Sequence, residues 1–283
     1  MFFVGNLSMF VNKMNHYCTV IRKMLCADGA KGREFLVLCR FIWLQIRFVF
    51  QKEFIYKWVN NIKIYIVHHR SASTECYYYG LFDPEEMSLI RDTLKPGDVV
   101  ADVGANIGGY SVFCASYGAE VYAFEPVPST FDLLERNISI NVGFSNLIHP
   151  IRKVVSDSEG EVNFTIDNDT VNKIVSDDHL KENTSNVVKI PAVTLDSVID
   201  KVNILKIDVE GFEKAVLGGA KRLLASQDLR LVVLEDPDEE IISLLDGYGF
   251  SQCRYDLGNK KVTVVAGDQN KPNGIFMRNP NCF

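Results

Sequence analysis

Apolar residues along this chain gather into short runs, and the period of each run separates strands from helices. Val99 to Val103 leaves no polar face and reads as a central strand of a parallel sheet. Glu120 to Phe124, Leu147 to Val155, Asn203 to Ile207 and Leu231 to Leu234 read as further strands. Val162 to Ile166 has period two, Val187 to Val193 returns the chain to the sheet, and Tyr248 to Asp256 and Gly274 to Arg278 close the series. Helical stretches fall between them. Asp83-Pro84-Glu85-Glu86 supplies an N-cap and a proline at the first helical position, Ile107 to Tyr117 follows the glycines, and Pro128-Ser129 starts a helix towards Asn141. Strands alternating with helices predict an α/β protein with helices on both faces of a mostly parallel sheet. The polar stretch from 167 to 186 has little periodicity and reads as either a lid over the substrate or an insertion.

The first sixty residues are the least legible. Arg33, Arg40 and Arg47 interrupt the apolar stretch from Phe35 to Phe50, and no uncharged run approaches the roughly 20 residues needed to span a bilayer. Arg40, Arg47 and Gln51 fall near one face of a helix with a wide apolar face opposite. The preferred reading packs this helix on the protein's own core; the alternative lays it on a membrane or a partner subunit. Ile62, Ile64 and Ile66 alternate with Lys63, Tyr65 and Val67 as a half-exposed strand, and Tyr77-Tyr78-Tyr79 reads as packing rather than an acceptor pocket.

Composition narrows the class. At 283 residues and 47% hydrophobic the chain can bury one sizeable core, and a net charge of -6 argues against a nucleic-acid-binding surface. Seven scattered cysteines without a C-x-x-C spacing fit reduced thiols in the cytoplasm better than a disulfide framework or a zinc site. The Asn-x-Ser/Thr triplets at Asn137 and Asn168 read as chance, since no secretory signal is convincing.

The chemistry gathers at strand ends. Val103 runs into Gly104-Ala105-Asn106-Ile107-Gly108, a strand, tight turn and helix N-terminus that suit a cofactor. Asn106 stands where a dinucleotide fingerprint has its second glycine, and the Asp102 carboxylate would repel a pyrophosphate while suiting a cationic ligand such as S-adenosylmethionine. Glu125, at the end of the second strand, is placed for ribose hydroxyls, and Asp157 for an adenine amino group or, equally, as a turn cap. Asp208 and Glu210 close another strand and are expected to face the same crevice as Asp102. Glu235 and Asp236 add acids at that edge. A divalent metal on these four is a second option, disfavoured because it requires both strand ends to converge.

Taken together, Asp102-Val-Gly-Ala-Asn-Ile-Gly108, Phe124-Glu-Pro126, Val155-Ser-Asp-Ser-Glu-Gly160, Thr194-Leu-Asp196 and Lys206-Ile-Asp-Val-Glu-Gly-Phe-Glu213 resemble the FkbM-type methyltransferases over roughly residues 77 to 278. The resemblance implies a Rossmann-like class I methyltransferase sheet of seven strands, the last antiparallel. It implies S-adenosylmethionine as cofactor and methyl transfer to a hydroxyl of a sugar, lipid or small metabolite. Carried over by position, Asp102, Gly104 and Gly108 hold the methionine part, Glu125 the ribose and Asp157 the adenine. Residues 1–76 form an N-terminal helical and strand extension, and 77–283 the methyltransferase domain. An alcohol needs a base to take its proton, and Asp208 or Glu210 is the candidate. In the competing view Asp208 orients the cofactor, while Glu210 and Glu213 cap the following turn and helix. Two other classes are weighed: a nicotinamide-dependent oxidoreductase, and a non-catalytic adenosylmethionine-binding or membrane-associated scaffold. The expected location is cytoplasmic, with peripheral membrane contact or homo-oligomerisation through the N-terminal segment as further options.

Overall fold

The computed structural model describes residues 20–165, 174–175, 187–265 and 273–280. Helix α1 (Glu34–Phe50) leads into an antiparallel hairpin, β1 (Glu53–Lys57) and β2 (Lys63–Val67), followed by α2 (Ser71–Tyr79) and α3 (Pro84–Thr93). The sheet domain then alternates β3 (Val99–Val103), α4 (Gly109–Ser116), β4 (Glu120–Phe124), α5 (Pro128–Ser139) and β5 (Ile148–Ile151). Four short strands follow: β6 (Val154–Val155), β7 (Gly160–Thr165), β8 (Ile174–Val175) and β9 (Val187–Val193). The chain continues through α6 (Leu195–Val198), β10 (Ile204–Ile207), α7 (Glu213–Gly218), α8 (Lys221–Ala225), β11 (Leu231–Glu235) and α9 (Glu239–Gly247). It closes with β12 (Ser251–Asp256), β13 (Lys261–Val264) and β14 (Asn273–Met277).

Eight strands make the central sheet, in the order β13-β12-β14-β11-β10-β3-β4-β5. From β5 to β11 neighbours run parallel, and β14 enters antiparallel between β11 and β12. Successive β3 residues feed two cores: Val100 packs with Val112, Phe113 and Leu134, whereas Ala101 and Val103 pack with Val216, Leu223 and Phe250. That division is what a strand covered by helices on both faces requires.

Two expectations need correction. The sheet has eight strands rather than seven. The Asp256 side chain accepts from the amides of Gly258 and Asn259, turning the chain back so that β13 pairs with the outer side of β12. The expected single strand from Leu147 to Val155 breaks at the exposed Arg152 and Lys153. Ile148–Ile151 stays in the main sheet, whereas Val154 and Val155 pair with Ala192 and Val193. Val187–Val193 therefore belongs to a separate four-stranded sheet, β6-β9-β7-β8, closed over its own small core of Val127, Val154, Ile190 and Ala192. Most of the polar stretch from 167 to 186, including Asn168, lies outside the described residues.

Two buried asparagines tie the hairpin to the sheet domain, and one of them, Asn141 just after α5, accepts from the Lys63 amide and donates to the Lys63 carbonyl. Asn137, on α5, is fully buried; its Oδ1 accepts from the Tyr65 amide and its Nδ2 donates to the Ile107 carbonyl in the glycine-rich turn. An amide engaged in this way is not a glycan acceptor, in line with the chance reading of that triplet. Val37, Phe41 and Leu44 turn one side of α1 into the core, and Arg40 donates to the carbonyls of Tyr77 and Tyr78. Tyr78 and Tyr79 are buried, the latter with its hydroxyl on the Met24 carbonyl, so they serve as packing. Asp83 precedes α3 as expected but does not cap it; its carboxylate accepts from the Tyr110 hydroxyl instead, at 2.8 Å.

Candidate active site

A cavity of about 470 Å³ opens at the carboxyl ends of β3, β4, β10 and β11, where ligands bind in open α/β sheets. Its shape begins at Gly104. The residue sits at φ +77°, and a Cβ there would lie 1.8 Å from the Asp208 carbonyl oxygen, so only glycine lets the tips of β3 and β10 come this close. Asn106 follows in the left-handed region, at φ 51°, and its amide donates to Glu125 Oε2 at 3.0 Å. Gly108, at φ +85°, starts α4; a Cβ would press on Leu134 Cδ1 at 2.4 Å.

Glu125 also accepts from the Val127 amide at 2.8 Å, so it locks the turn after β3 to the turn after β4. Burial pushes its carboxyl up to about 7, against the two backbone donors and the Lys206 ammonium that favour the ionised form.

Beneath this floor runs a line of charge. In the register of β3 with β10, Lys206 lies beside Asp102. Asp102 is wholly buried: Oδ2 accepts from Ser111 at 2.6 Å, while Oδ1 has no hydrogen-bond partner among the described residues and lies 3.5 Å from Lys206 Nζ. Nζ also reaches the Gly104 carbonyl at 3.1 Å and Asp208 Oδ2 at 3.2 Å. Burial pulls the ammonium down, but Asp208 and Asp102 outweigh it and hold its pKa above the ordinary lysine range. Asp102 thus lies under the cavity wall, with Lys206 placed against it. Sequence reading named Lys206 only as the start of a family motif and gave it no role, although a lysine inside the apolar run Ile204-Leu-Lys-Ile207 was the signal, since a buried ammonium needs partners.

Asp208 lies one residue beyond the Ile207–Leu234 pair, where it meets Glu235. Its side chain is 47% exposed, open to the cavity. Burial pushes Asp208 up, but the Lys206 ammonium and the hydrogen bond with Glu235 bring it below the usual carboxylate range. Glu235 is raised to about 8, chiefly by burial and then by the charge of Asp208 and the hydrogen bond to it. The two therefore form a pair that shares one proton near neutral pH. Glu210, at φ 53°, lines the cavity too, and Glu213 Oε1 caps the turn by accepting from the Gly211 amide. Asp208, Glu210 and Glu235 present carboxylate oxygens within 4.8 Å of one another, so the two strand ends do converge.

Another part of the lining combines the segment preceding β3 with Tyr110 of α4. Glu75 on α2, Asp83 and Tyr110 line the cavity, and burial with the charges of Asp83 and Asp208 lifts Glu75 to about 7. None of these three was singled out from sequence as a site residue. Gly104, Asn106, Glu125, Asp208 and Glu210 are brought together around one cavity, with Asp102 below it and Gly108 behind it. Asp157 is not among the lining residues; it is exposed and accepts from the Ser158 hydroxyl at 3.0 Å, so its carboxylate behaves as a turn residue.

Glu75, Glu125 and Glu235 give stability a pH dependence of defined sign. Each holds its proton to higher pH in the folded chain than in the unfolded one, so from about pH 5 to 8 the native state binds more protons and stability falls as pH rises. Thermal melts across that window should show the decline, and replacing Glu75 with glutamine should flatten it.

The strand order, with parallel neighbours around β3 and the antiparallel β14 inserted near one edge, defines a Rossmann-like class I methyltransferase fold. Residues 102–255 match the methyltransferase FkbM domain, and the chain belongs to that family. It is 31% identical over 196 residues to the hexuronic acid methyltransferase AglP of Haloferax volcanii, covering 66% of this chain and 78% of that protein. It is 30% identical over 222 residues to the 31-O-demethyl-FK506 methyltransferase FkbM of Streptomyces tacrolimicus, covering 66% and 85%. A crystal structure of methyltransferase FkbM from Methylobacillus flagellatus KT superposes with a TM-score of 0.46 at 14% identity, over 95% of this chain and 60% of that one.

Proposed function

We propose that this methyltransferase takes its methyl group from S-adenosylmethionine and delivers it to a hydroxyl oxygen of a sugar or small metabolite. The observation that carries the reading is the cavity's charge. Glu75, Asp83, Glu125, Asp208, Glu210 and Glu235 line it against only Lys153 and Lys206, and Lys206 is already held by Asp102 and Asp208. Such a lining suits a cation and disfavours a pyrophosphate, which speaks against the nicotinamide alternative. Family membership in turn supports an enzyme over a non-catalytic scaffold.

The residues present fit the cofactor. Glu125 would take the ribose hydroxyls, and the backbone from Gly104 to Asn106 the amino-acid end. Asp102 would act indirectly, by holding Lys206 and thereby the Gly104 carbonyl. Asp157, exposed outside the cavity, fits the adenine poorly. When bound, S-adenosylmethionine supplies a methyl carbon made electrophilic by the sulfonium.

The chain's own task is to take the hydroxyl proton. A catalytic base works best with a pKa near the operating pH, and Asp208 lies below that range while Glu235 lies near it. In this reading the base is Glu235, with Asp208 as its partner, which departs from the sequence expectation of Asp208 or Glu210. The Haloferax relative is named for a hexuronic acid and the Streptomyces relative for a 31-O-demethyl compound, which supports a hydroxyl-bearing acceptor. The five described cysteines are all free thiols, two of them exposed, which supports a reducing compartment such as the cytoplasm.

Binding and transfer test the reading together. S-adenosylhomocysteine should raise the melting temperature by several degrees, on the order of what a ligand at 100 times its Kd produces, and NAD should not. Methyl-labelled cofactor should then label a hydroxyl-bearing compound from a metabolite extract. EDTA should leave the labelling unchanged, because the Lys206 ammonium, 3.2 Å from Asp208 Oδ2, already stands as the cation beside that carboxylate. Stabilisation by NAD alone would refute the cofactor assignment. Activity lost to EDTA and restored by magnesium would make Asp208, Glu210 and Glu235 metal ligands instead.

A further inference from the structure

We infer that the outer face of α1 is a membrane-docking surface that seats the protein on an anionic lipid bilayer. The helix has two apolar sides. Val37, Phe41 and Leu44 are buried, while Phe35, Ile42, Trp43, Ile46, Val49 and Phe50 form a second stripe at helical spacing with exposures from 49 to 81%. Arg40 and Arg47 do not interrupt that stripe, since Arg40 is drawn to the Tyr77 and Tyr78 carbonyls and Arg47 lies 3.5 Å above the Phe54 ring. A charge-free, aromatic-rich face of this kind on a helix of 17 residues is a large apolar patch for a water-facing surface.

Charge selects the occupant. Residues 1–70 contain eleven Lys and Arg against three acids, Asp28, Glu34 and Glu53, a local balance of +8 in a chain whose total is -6. The apolar stripe therefore belongs to the basic segment of an acidic chain, with Lys31 and Lys52 exposed beyond the two ends of α1. Two copies meeting through α1 would bring their basic segments together and repel, whereas an anionic headgroup layer attracts them. Trp43 and the phenylalanines suit the interfacial zone, where aromatic rings bury their bodies beside polar headgroups. No helix among the described residues is long and apolar enough to cross a membrane, so the mode is to lie on the surface. The Phe41 ring packs on Tyr78 at 5.9 Å, so α2, which carries Glu75 into the cavity wall, stands one helix layer behind the docking face.

The test is flotation of the full chain with phosphatidylcholine vesicles with and without phosphatidylglycerol. The protein should float with the anionic vesicles, and less as salt rises. Trp43→Asp with Ile46→Asp should cut the bound fraction about tenfold or more and leave the melting temperature unchanged, because both side chains are about half exposed or more. No flotation of the wild type, or equal flotation of both proteins, would overturn the assignment. So would light scattering that finds a wild-type dimer which the double substitution converts to a monomer, since the face would then be occupied by a second copy.

Discussion

Lys206→Met is expected to lower the melting temperature by about 10 °C. Removing one partner of a buried pair costs about 3–5 kcal/mol, and in a chain of this size each kcal/mol moves the midpoint by about 2–4 °C. Lys206 is 7% exposed and Asp102 not at all, so methionine would leave the Asp102 charge with only the Ser111 hydroxyl. It would also free Asp208 from its ammonium partner and loosen the Gly104 carbonyl. The double substitution Asp102→Asn with Lys206→Met should recover much of the loss, because replacing both members of a buried pair is far cheaper than orphaning one. Thermal melts of the single and double variants decide this. A single variant that melts with the wild type would show that Asp102 does not depend on the lysine.

Glu235→Gln is expected to lower kcat by about 10² to 10⁴, the usual range for loss of a general base, with KM for the cofactor little changed. In the wild type the rate should climb as pH passes about 8, because the Glu235 carboxyl must lose its proton before it can accept one. Asp208→Asn removes one neighbouring charge that holds Glu235 up, so its rising limb should move to lower pH. A merely structural Asp208 would change the rate without moving that limb. A wild-type profile flat across the window would return the base to another group, Glu75 being the next with a pKa near neutrality.

These two residues were unevenly legible before the fold was known. Glu235 stood out only as an acid at a strand end, and its value as a base comes from burial and from Asp208, which follows β10 and lies 27 residues earlier in the chain. Lys206 was visible as a charge in an apolar run, but its partner depends on the register between β3 and β10. The wall made by Glu75 and Asp83 was not legible at all, because nothing local places α2 and the start of α3 over the end of β3. Helix α1 shows why its sequence left two readings open: it is apolar on both sides, one facing the core and the other outward.

By itself the sequence determined what depends on neighbours along the chain: the period of each run, the strand–glycine–helix corner at Gly104, and the family motifs from Asp102 to Glu213. Those signals are local because backbone conformation and side-chain alternation are set within a few residues. Only the tertiary structure decided which strand ends meet. It sent Val154–Val155 and Val187–Val193 into a second sheet, left Asp157 outside the cavity, buried Asp102 beneath Lys206, and paired Asp208 with Glu235. Ionisation and partner choice depend on burial and on charges brought close by folding, and both are set between segments far apart in sequence.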